Sequence, residues 1–222
     1  MTEPVVFVVP IIAGVLAVVG AAIYATQKAE QKRAAALADV ALRLGFAYLA
    51  QIPEEQLAAL GDFHLFKHGH SRRARSVMRG KSGDAEVVLM DYQYTTGGGK
   101  DSHTFRQTVA IYPGVARALP EFTLAPENVL AKIGQLFGYQ DIDFEASEEF
   151  SKHYLLRGPD EAAIRAAFGA EALGFFAQSR GWSVESCGGA LAVYRGGKRC
   201  KPEELQPYVA EVDAVRRALA RG

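Results

Sequence analysis

Residues 72–112, RRARSVMRGKSGDAEVVLMDYQYTTGGGKDSHTFRQTVAIY, decide the fold. Three runs in this stretch carry the β-branched and aromatic residues that favour strands, and they cover residues 72–80, 85–94 and 104–112. The turns between them, KSGD and TTGGGKDS, contain residues that tolerate a positive φ. The stretch therefore predicts an antiparallel meander of three strands.

The chain on either side of the meander adds helices and further strands. An alanine-rich run over residues 28–44 favours a helix that ends at Gly45. Further helices are predicted at residues 53–60, 126–137, 160–168, 170–179 and 202–219. Further strands are predicted at Phe122, 141–145, Tyr154, 182–185 and 190–194. Because helices and strands are grouped rather than strictly alternating, we expect an α+β fold with antiparallel sheet and flanking helices.

The first thirty residues predict a membrane anchor. The run VVFVVPIIAGVLAVVGAAIY occupies residues 5–24, and no charged residue lies between Glu3 and Lys28. At about 1.5 Å per residue, such a helix crosses a hydrocarbon core of about 30 Å. We expect a retained anchor over residues 1–27 that contacts the bilayer through residues 5–26. The alternative is a cleaved secretory signal, which requires a basic segment that MTEP lacks.

The charges that flank the apolar run predict the orientation of the anchor. Lys28, Lys32 and Arg33 follow the run, whereas Glu3 precedes it. An excess of basic residues marks the cytoplasmic side of a membrane helix. We therefore expect a single-pass membrane protein whose soluble domain faces the cytoplasm.

Four alanines form a ridge on the predicted anchor, at every fourth position: Ala13, Ala17, Ala21 and Ala25. Small side chains along one ridge allow two membrane helices to approach closely. The ridge is a candidate surface for a homodimer or for another protein. The alternative is that alanine is simply common in membrane helices.

The composition excludes several classes of protein. The 222 residues carry 25 basic and 25 acidic side chains, so we expect no nucleic-acid partner. Two cysteines, Cys187 and Cys200, are too few for a disulfide scaffold or a four-cysteine zinc module. The sequence Gly80-Lys81-Ser82 ends like a phosphate-binding loop, but Arg75 stands where the first glycine is required. We expect no cofactor.

A basic strand is the strongest charge pattern. Four of its residues share one parity, which places them on one face of a regular strand: Arg73, Arg75, Arg79 and Lys81. Close to a membrane, such a face could contact anionic headgroups. The favoured alternative is structural: the face is a solvated outer face, or it pairs with the protein's own acids. If the two strands meet, the acids of residues 141–149 would neutralise it across the sheet.

Three histidines form a weak candidate for a metal site: His64, His68 and His70, with His103 or a carboxylate as a fourth ligand. Their spacing does not place them on one helix face, because positions i+4 and i+6 project in different directions. We expect no metal here.

Three phrases in the second half carry a resemblance: LPEFTLAPEN, DIDFE and EEFSKHYLLRGPDEAAIRAAF. They resemble uncharacterised bacterial proteins that pair an N-terminal membrane helix with an α+β domain of unknown function. The resemblance covers about residues 45–210. It implies an anchor, a single globular module and a bacterial source, and it brings no known activity, cofactor or catalytic residue.

The predicted organisation has three parts: an anchor over residues 1–27, a helical stalk over 28–44 and an α+β domain over 45–222. The domain is either one unit or two subdomains that meet near residues 118–150. We expect a non-catalytic interaction or scaffold module at the membrane. The alternative is a hydrolase-like or metal-dependent enzyme with a membrane-proximal substrate, which requires a cleft lined by His64, His68, His103 or the 141–149 acids.

Overall fold

One antiparallel sheet of eight strands runs through the protein. A computed structural model describes residues 5–127 and 140–220, with side chains from residue 13 onwards. The strands are β1 (Ala47–Ile52), β2 (His70–Ser82), β3 (Ala85–Thr96), β4 (His103–Tyr112), β5 (Phe122–Pro126), β6 (Tyr154–Arg157), β7 (Ser183–Cys187) and β8 (Ala190–Tyr194). Their order across the sheet is β1-β2-β3-β4-β8-β7-β5-β6, and every neighbouring pair is antiparallel. The pairing of β4 with β8 joins the two halves of the chain into this one sheet.

Six helices accompany the sheet in the described ranges. They are α1 (Val5–Arg43), α2 (His64–Lys67), α3 (Glu148–Ser151), α4 (Glu161–Ala167), α5 (Ala170–Gln178) and α6 (Leu205–Ala220). Short 3₁₀ turns occupy Glu54–Gln56, Ala58–Leu60, Gly99–Asp101 and Pro202–Glu204. The expected α+β class is confirmed.

Alternate residues of the central strands supply two cores. On β3, Val87 and Leu89 face the larger core, which also takes residues from α1 and α6. Val88 and Met90 face the smaller core, which is covered by the segment 52–66. Both faces of the central strands are therefore buried, as their nearly continuous apolar sequence requires.

Helix α1 has two different halves. The side chains of residues 13–29 are exposed, whereas Leu37 and Ala41 are buried in the larger core. Gly45 follows the helix with a φ of 72°, which reverses the chain into β1. Over the described part of the chain, none of the helices combines the length and the apolar character that a membrane crossing requires.

Several local predictions differ from the structure. The helix expected at residues 53–60 is two 3₁₀ turns, and β1 was not predicted. The strand expected at 141–145 is wrong, because this segment makes a single backbone hydrogen bond to β6, from Ile142 N to Leu156 O at 2.9 Å. The helix expected at 126–137 lies almost wholly outside the described residues.

Candidate functional site

The four basic residues of β2 do not share a face of the sheet. On β3, Asp91 lies opposite Arg75 and Val88 lies opposite Arg79. Asp91 and Val88 are three positions apart, so they project to opposite sides of β3. Directly opposite residues of paired strands project to the same side, and successive residues along a strand alternate. Arg75 and Arg79 therefore project to opposite sides.

A β-bulge in β2 causes this reversal. The register with β3 shifts by one residue between Arg75 and Met78, and Ser76 inside this interval has a φ of 47°. The extra residue of a bulge reverses the alternation beyond it. The prediction of one common face is therefore wrong: Arg73 shares the face of Arg75, and Lys81 shares the face of Arg79.

The face that carries Arg73 and Arg75 forms a small groove beside α1, which we call the stalk groove. Its volume is about 70 Å³. Its charged lining consists of five arginines and two acids: Arg33, Arg73, Arg75, Arg106, Arg199, Glu30 and Asp91. Helix α1, strands β2, β3 and β4, and the loop after β8 all contribute to this lining.

Two ion pairs hold α1 against the sheet in the stalk groove. Arg33 binds Asp91 through two hydrogen bonds, Nε to Oδ2 at 2.7 Å and Nη2 to Oδ1 at 2.9 Å. Arg199 Nη1 donates to both carboxylate oxygens of Glu30, at 2.9 and 2.8 Å. The hydrogen bond from Arg199 lowers the pKa of Glu30. Both acids of the groove are thus already occupied.

The other three arginines of the stalk groove are not neutralised by such bonds. Among the described residues, Arg73, Arg75 and Arg106 have no hydrogen-bond or salt-bridge partner for their guanidinium groups. Arg73 and Arg106 are exposed, and Arg75 is half-buried. The groove therefore carries an excess of three positive charges.

The acids of residues 141–149 do not compensate these arginines. The segment lies beside β6, at the opposite edge of the sheet from β1 and β2. Its acids pair locally, Glu148 with Lys152, and Glu149 with Arg180 and His153. The pairing of the basic strand with these acids across the sheet, which was one form of the structural alternative, is therefore wrong.

A second cavity lies where α2 crosses β7, and we call it the β7 pocket. Its volume is about 390 Å³, and its lining includes the titratable residues Asp62, His64, Lys67, Glu121, Arg157, Glu185 and Cys187. Glu185 is buried and accepts hydrogen bonds from Leu65 N at 3.2 Å and from Tyr194 Oη at 2.9 Å. Burial raises the pKa of the Glu185 carboxyl.

The chemistry of the β7 pocket suits binding better than nucleophilic catalysis. Burial raises the pKa of the Cys187 thiol, and Glu121, with Oε1 at 3.7 Å from Sγ, raises it further. The thiol is therefore protonated near neutral pH, and a protonated thiol is a poor nucleophile. Burial lowers the pKa of His64 to about 4, so the imidazole there is neutral.

Of the three clustered histidines, His64 and His68 lie near each other, with 6.2 Å between their ring centroids. His64 lines the β7 pocket, and the ring of His68 packs edge-on against Tyr94, with 5.2 Å between centroids. His70 Nε2 lies 3.0 Å from the carbonyl oxygen of Gly97. His103 is exposed at the start of β4. In the two described ranges, no group of three His, Cys, Asp or Glu side chains is arranged to hold a metal ion.

Sequence reasoning missed several residues of these two sites. Arg106 could have been found, because it lies in a predicted strand of the meander. Glu30 and Arg199 carried no such signal, because 169 positions separate these paired residues. Glu185 lies in a short predicted strand, where one buried acid has no distinctive pattern.

No protein-family model, no curated protein and no solved structure matches the chain.

Proposed function

We propose that the chain is a single-pass, membrane-anchored interaction module without catalytic activity, whose domain faces the cytoplasm of a bacterial cell. One observation carries the proposal. Helix α1 is continuous over 39 residues, and its exposed apolar half leads directly into a half that belongs to the core of the domain.

The apolar half of α1 presents large side chains with no cover from the described domain. They are Val15, Leu16, Val18, Val19, Ile23 and Tyr24, each about half exposed or more. Burying a side chain of this size is worth about 1.5–3 kcal/mol. Residues 5–12 extend the same apolar run in the sequence. In the sequence, residues 5–24 form an apolar run of the length that a bilayer span needs, and a bilayer would cover these exposed side chains.

The second half of α1 makes the anchor a rigid stalk rather than a flexible tether. Leu37 and Ala41 are buried, and Arg33 is bound to Asp91 on β3. The domain is therefore held at a fixed height and orientation above the bilayer. Lys28 and Lys32 lie just beyond the anchor, and basic residues at this position favour the cytoplasmic side.

The enzymatic alternative receives less support from the β7 pocket. Glu185 already accepts hydrogen bonds from Leu65 and Tyr194, and the thiol of Cys187 is held in its protonated form. The 141–149 acids, His68 and His103 do not line this cavity. An interaction module at the membrane surface accounts for the anchor and the stalk without a reaction.

Extraction of bacterial membranes with alkaline carbonate tests the anchor. We expect the full chain to stay in the membrane pellet, because carbonate removes peripheral proteins but not spanning helices. The matched variant Leu16→Arg/Val18→Arg should move to the supernatant, since each charge at the centre of a span costs about 2.5–3.5 kcal/mol. A wild-type chain that is released by carbonate would overturn the proposal.

A further inference from the structure

We propose that the stalk groove binds the phosphate group of an anionic phospholipid headgroup. The proposal rests on the membrane anchoring proposed above and goes further, because it names a ligand and the residues that bind it: Arg73, Arg75 and Arg106.

The charge balance of the groove is the first argument. Arg73, Arg75 and Arg106 line the groove, while Glu30 and Asp91 are already bound by Arg199 and Arg33. Like charges that share one surface repel each other, and an anion placed between them removes this repulsion. The described lining supplies only two carboxylates for five guanidinium groups, which leaves an anion from outside to balance the rest.

The type of residue and the size of the groove favour phosphate. A guanidinium group presents its donors in a planar fork that binds two oxygens of a phosphate at once. A volume of about 70 Å³ accommodates a group of a few heavy atoms rather than a whole cofactor. A lipid phosphodiester satisfies both conditions, because its glycerol and acyl parts remain outside the groove.

The direction of α1 places the groove on the side of the domain nearest the anchor. Phe46, just after the end of α1, packs on Gly80, which pairs with Val87 of β3, whereas Arg33 binds Asp91 further along β3. Arg106 pairs still further along, opposite Gln93. The helix therefore leaves the domain at the end of the sheet where β3 ends.

The lengths of the two elements are matched at that end. From Arg33 back to Tyr24 the helix rises about 14 Å, at about 1.5 Å per residue. From Asp91 to Thr96 strand β3 advances about 17 Å, at about 3.3 Å per residue. These two lengths are similar, so the β3–β4 hairpin extends towards the anchor by a distance comparable to the exposed part of α1. Arg106, opposite Gln93, lies between Asp91 and the hairpin tip. A lipid headgroup is the phosphate that the proposed anchor brings to this end of the domain.

Native mass spectrometry of the full chain tests the proposal. The chain is released from detergent micelles doped with either phosphatidylglycerol or phosphatidylcholine, and bound lipids are counted. We expect wild type to retain phosphatidylglycerol in preference to phosphatidylcholine. The variant Arg73→Gln/Arg75→Gln should lose about tenfold or more in affinity, because basic side chains near a lipid surface act cumulatively.

The bulge in β2 provides a matched control. Arg79→Gln/Lys81→Gln removes the same charge from the same strand but on the opposite face, and we expect its affinity to stay within about twofold of wild type. Fluorescence of the single tryptophan, Trp182, verifies that each variant is folded. Equal losses in both variants, or no loss in Arg73→Gln/Arg75→Gln, would overturn the proposal.

Inorganic phosphate distinguishes a lipid from a soluble anion. If wild type binds inorganic phosphate as tightly as phosphatidylglycerol, the groove serves a soluble ligand and the lipid proposal is wrong. This failure is separable from failure of the anchor, because a chain that resists carbonate extraction can still show no preference for an anionic lipid.

Discussion

Replacing Leu37 by alanine tests whether the second half of α1 belongs to the domain. Leu37 is 1% exposed in the larger core, whereas Leu42, five residues later on the same helix, is 78% exposed. The pair Leu37→Ala and Leu42→Ala therefore makes the same chemical change on the same helix, once inside the core and once outside it.

The expected magnitudes follow from burial. A buried Leu→Ala substitution costs the transfer of the lost methyl groups plus the cavity that remains, about 3 kcal/mol. An exposed substitution away from special features costs about 0.5 kcal/mol or less. With a urea dependence of about 2 kcal/mol per molar, Leu37→Ala should lower the midpoint by about 1.5 M, and Leu42→Ala by about 0.2 M.

Urea unfolding of the full chain in a non-ionic detergent, followed by tryptophan fluorescence, measures both variants. Trp182 is a sensitive probe because it is buried and Arg195 lies over its ring, with Cζ 3.9 Å from the centroid. If Leu37→Ala unfolds at the same urea concentration as Leu42→Ala, α1 is a tether that the domain does not need, and the rigid stalk is refuted.

Three further predictions concern packing and titration. Gly80→Ala should destabilise the fold by about 1–3 kcal/mol, because a Cβ there would overlap the ring of Phe46; Gly98→Ala, whose Cβ would meet open space, should have little effect in the same urea assay. Burial raises the pKa of Glu185, so wild type loses stability as pH rises from about 4.3 through that raised pKa. The stability of Glu185→Gln relative to wild type should therefore increase as the pH rises from about 4.5 through the raised pKa of Glu185, and a constant difference would contradict this. Because its pKa is about 4, the imidazole of His64 should be neutral at about pH 6. The protonation state of the ring is measured by NMR, and a protonated ring at that pH would contradict its burial.

Local patterns in the sequence were sufficient for most strands and helices. The meander was predicted because β-rich runs alternate with glycine-rich turns. Strands β7 and β8 were predicted because two β-rich runs flank Gly188-Gly189, and both glycines adopt a positive φ in the structure. Strand β1, AYLAQI, was missed because this short edge strand is mostly exposed and has no clear alternation. The order of the strands in the sheet could also not be predicted, because β4 pairs with β8, which is distant in the sequence.

The stalk groove could be predicted only in part. Arg73 and Arg75 were identified because they occupy alternate positions of a predicted strand. The bulge at Ser76 places Arg79 and Lys81 on the opposite face of that strand. Serine has no special preference for a positive φ, so the sequence offers no signal for this reversal. A periodicity argument holds only as far as the strand remains regular.

If the proposed anchor spans a bilayer, the rigid stalk also fixes the height of the hairpin tip above it. Thr96 and Glu86 are ten residues apart on β3, which corresponds to about 33 Å. A domain fixed by α1 places the two ends of β3 at very different heights, whereas a domain on a flexible tether places them at similar average heights.

Quenching of a fluorescent label by nitroxide-labelled lipids tests the central claim most directly. The label is attached to Val19→Cys, Lys100→Cys or Glu86→Cys in a full chain without Cys187 and Cys200, reconstituted in lipid nanodiscs. The rigid stalk predicts strong quenching at position 19, intermediate quenching at position 100 and none at position 86. Equal quenching at positions 100 and 86, or none at position 19, would contradict the anchored, rigidly oriented domain.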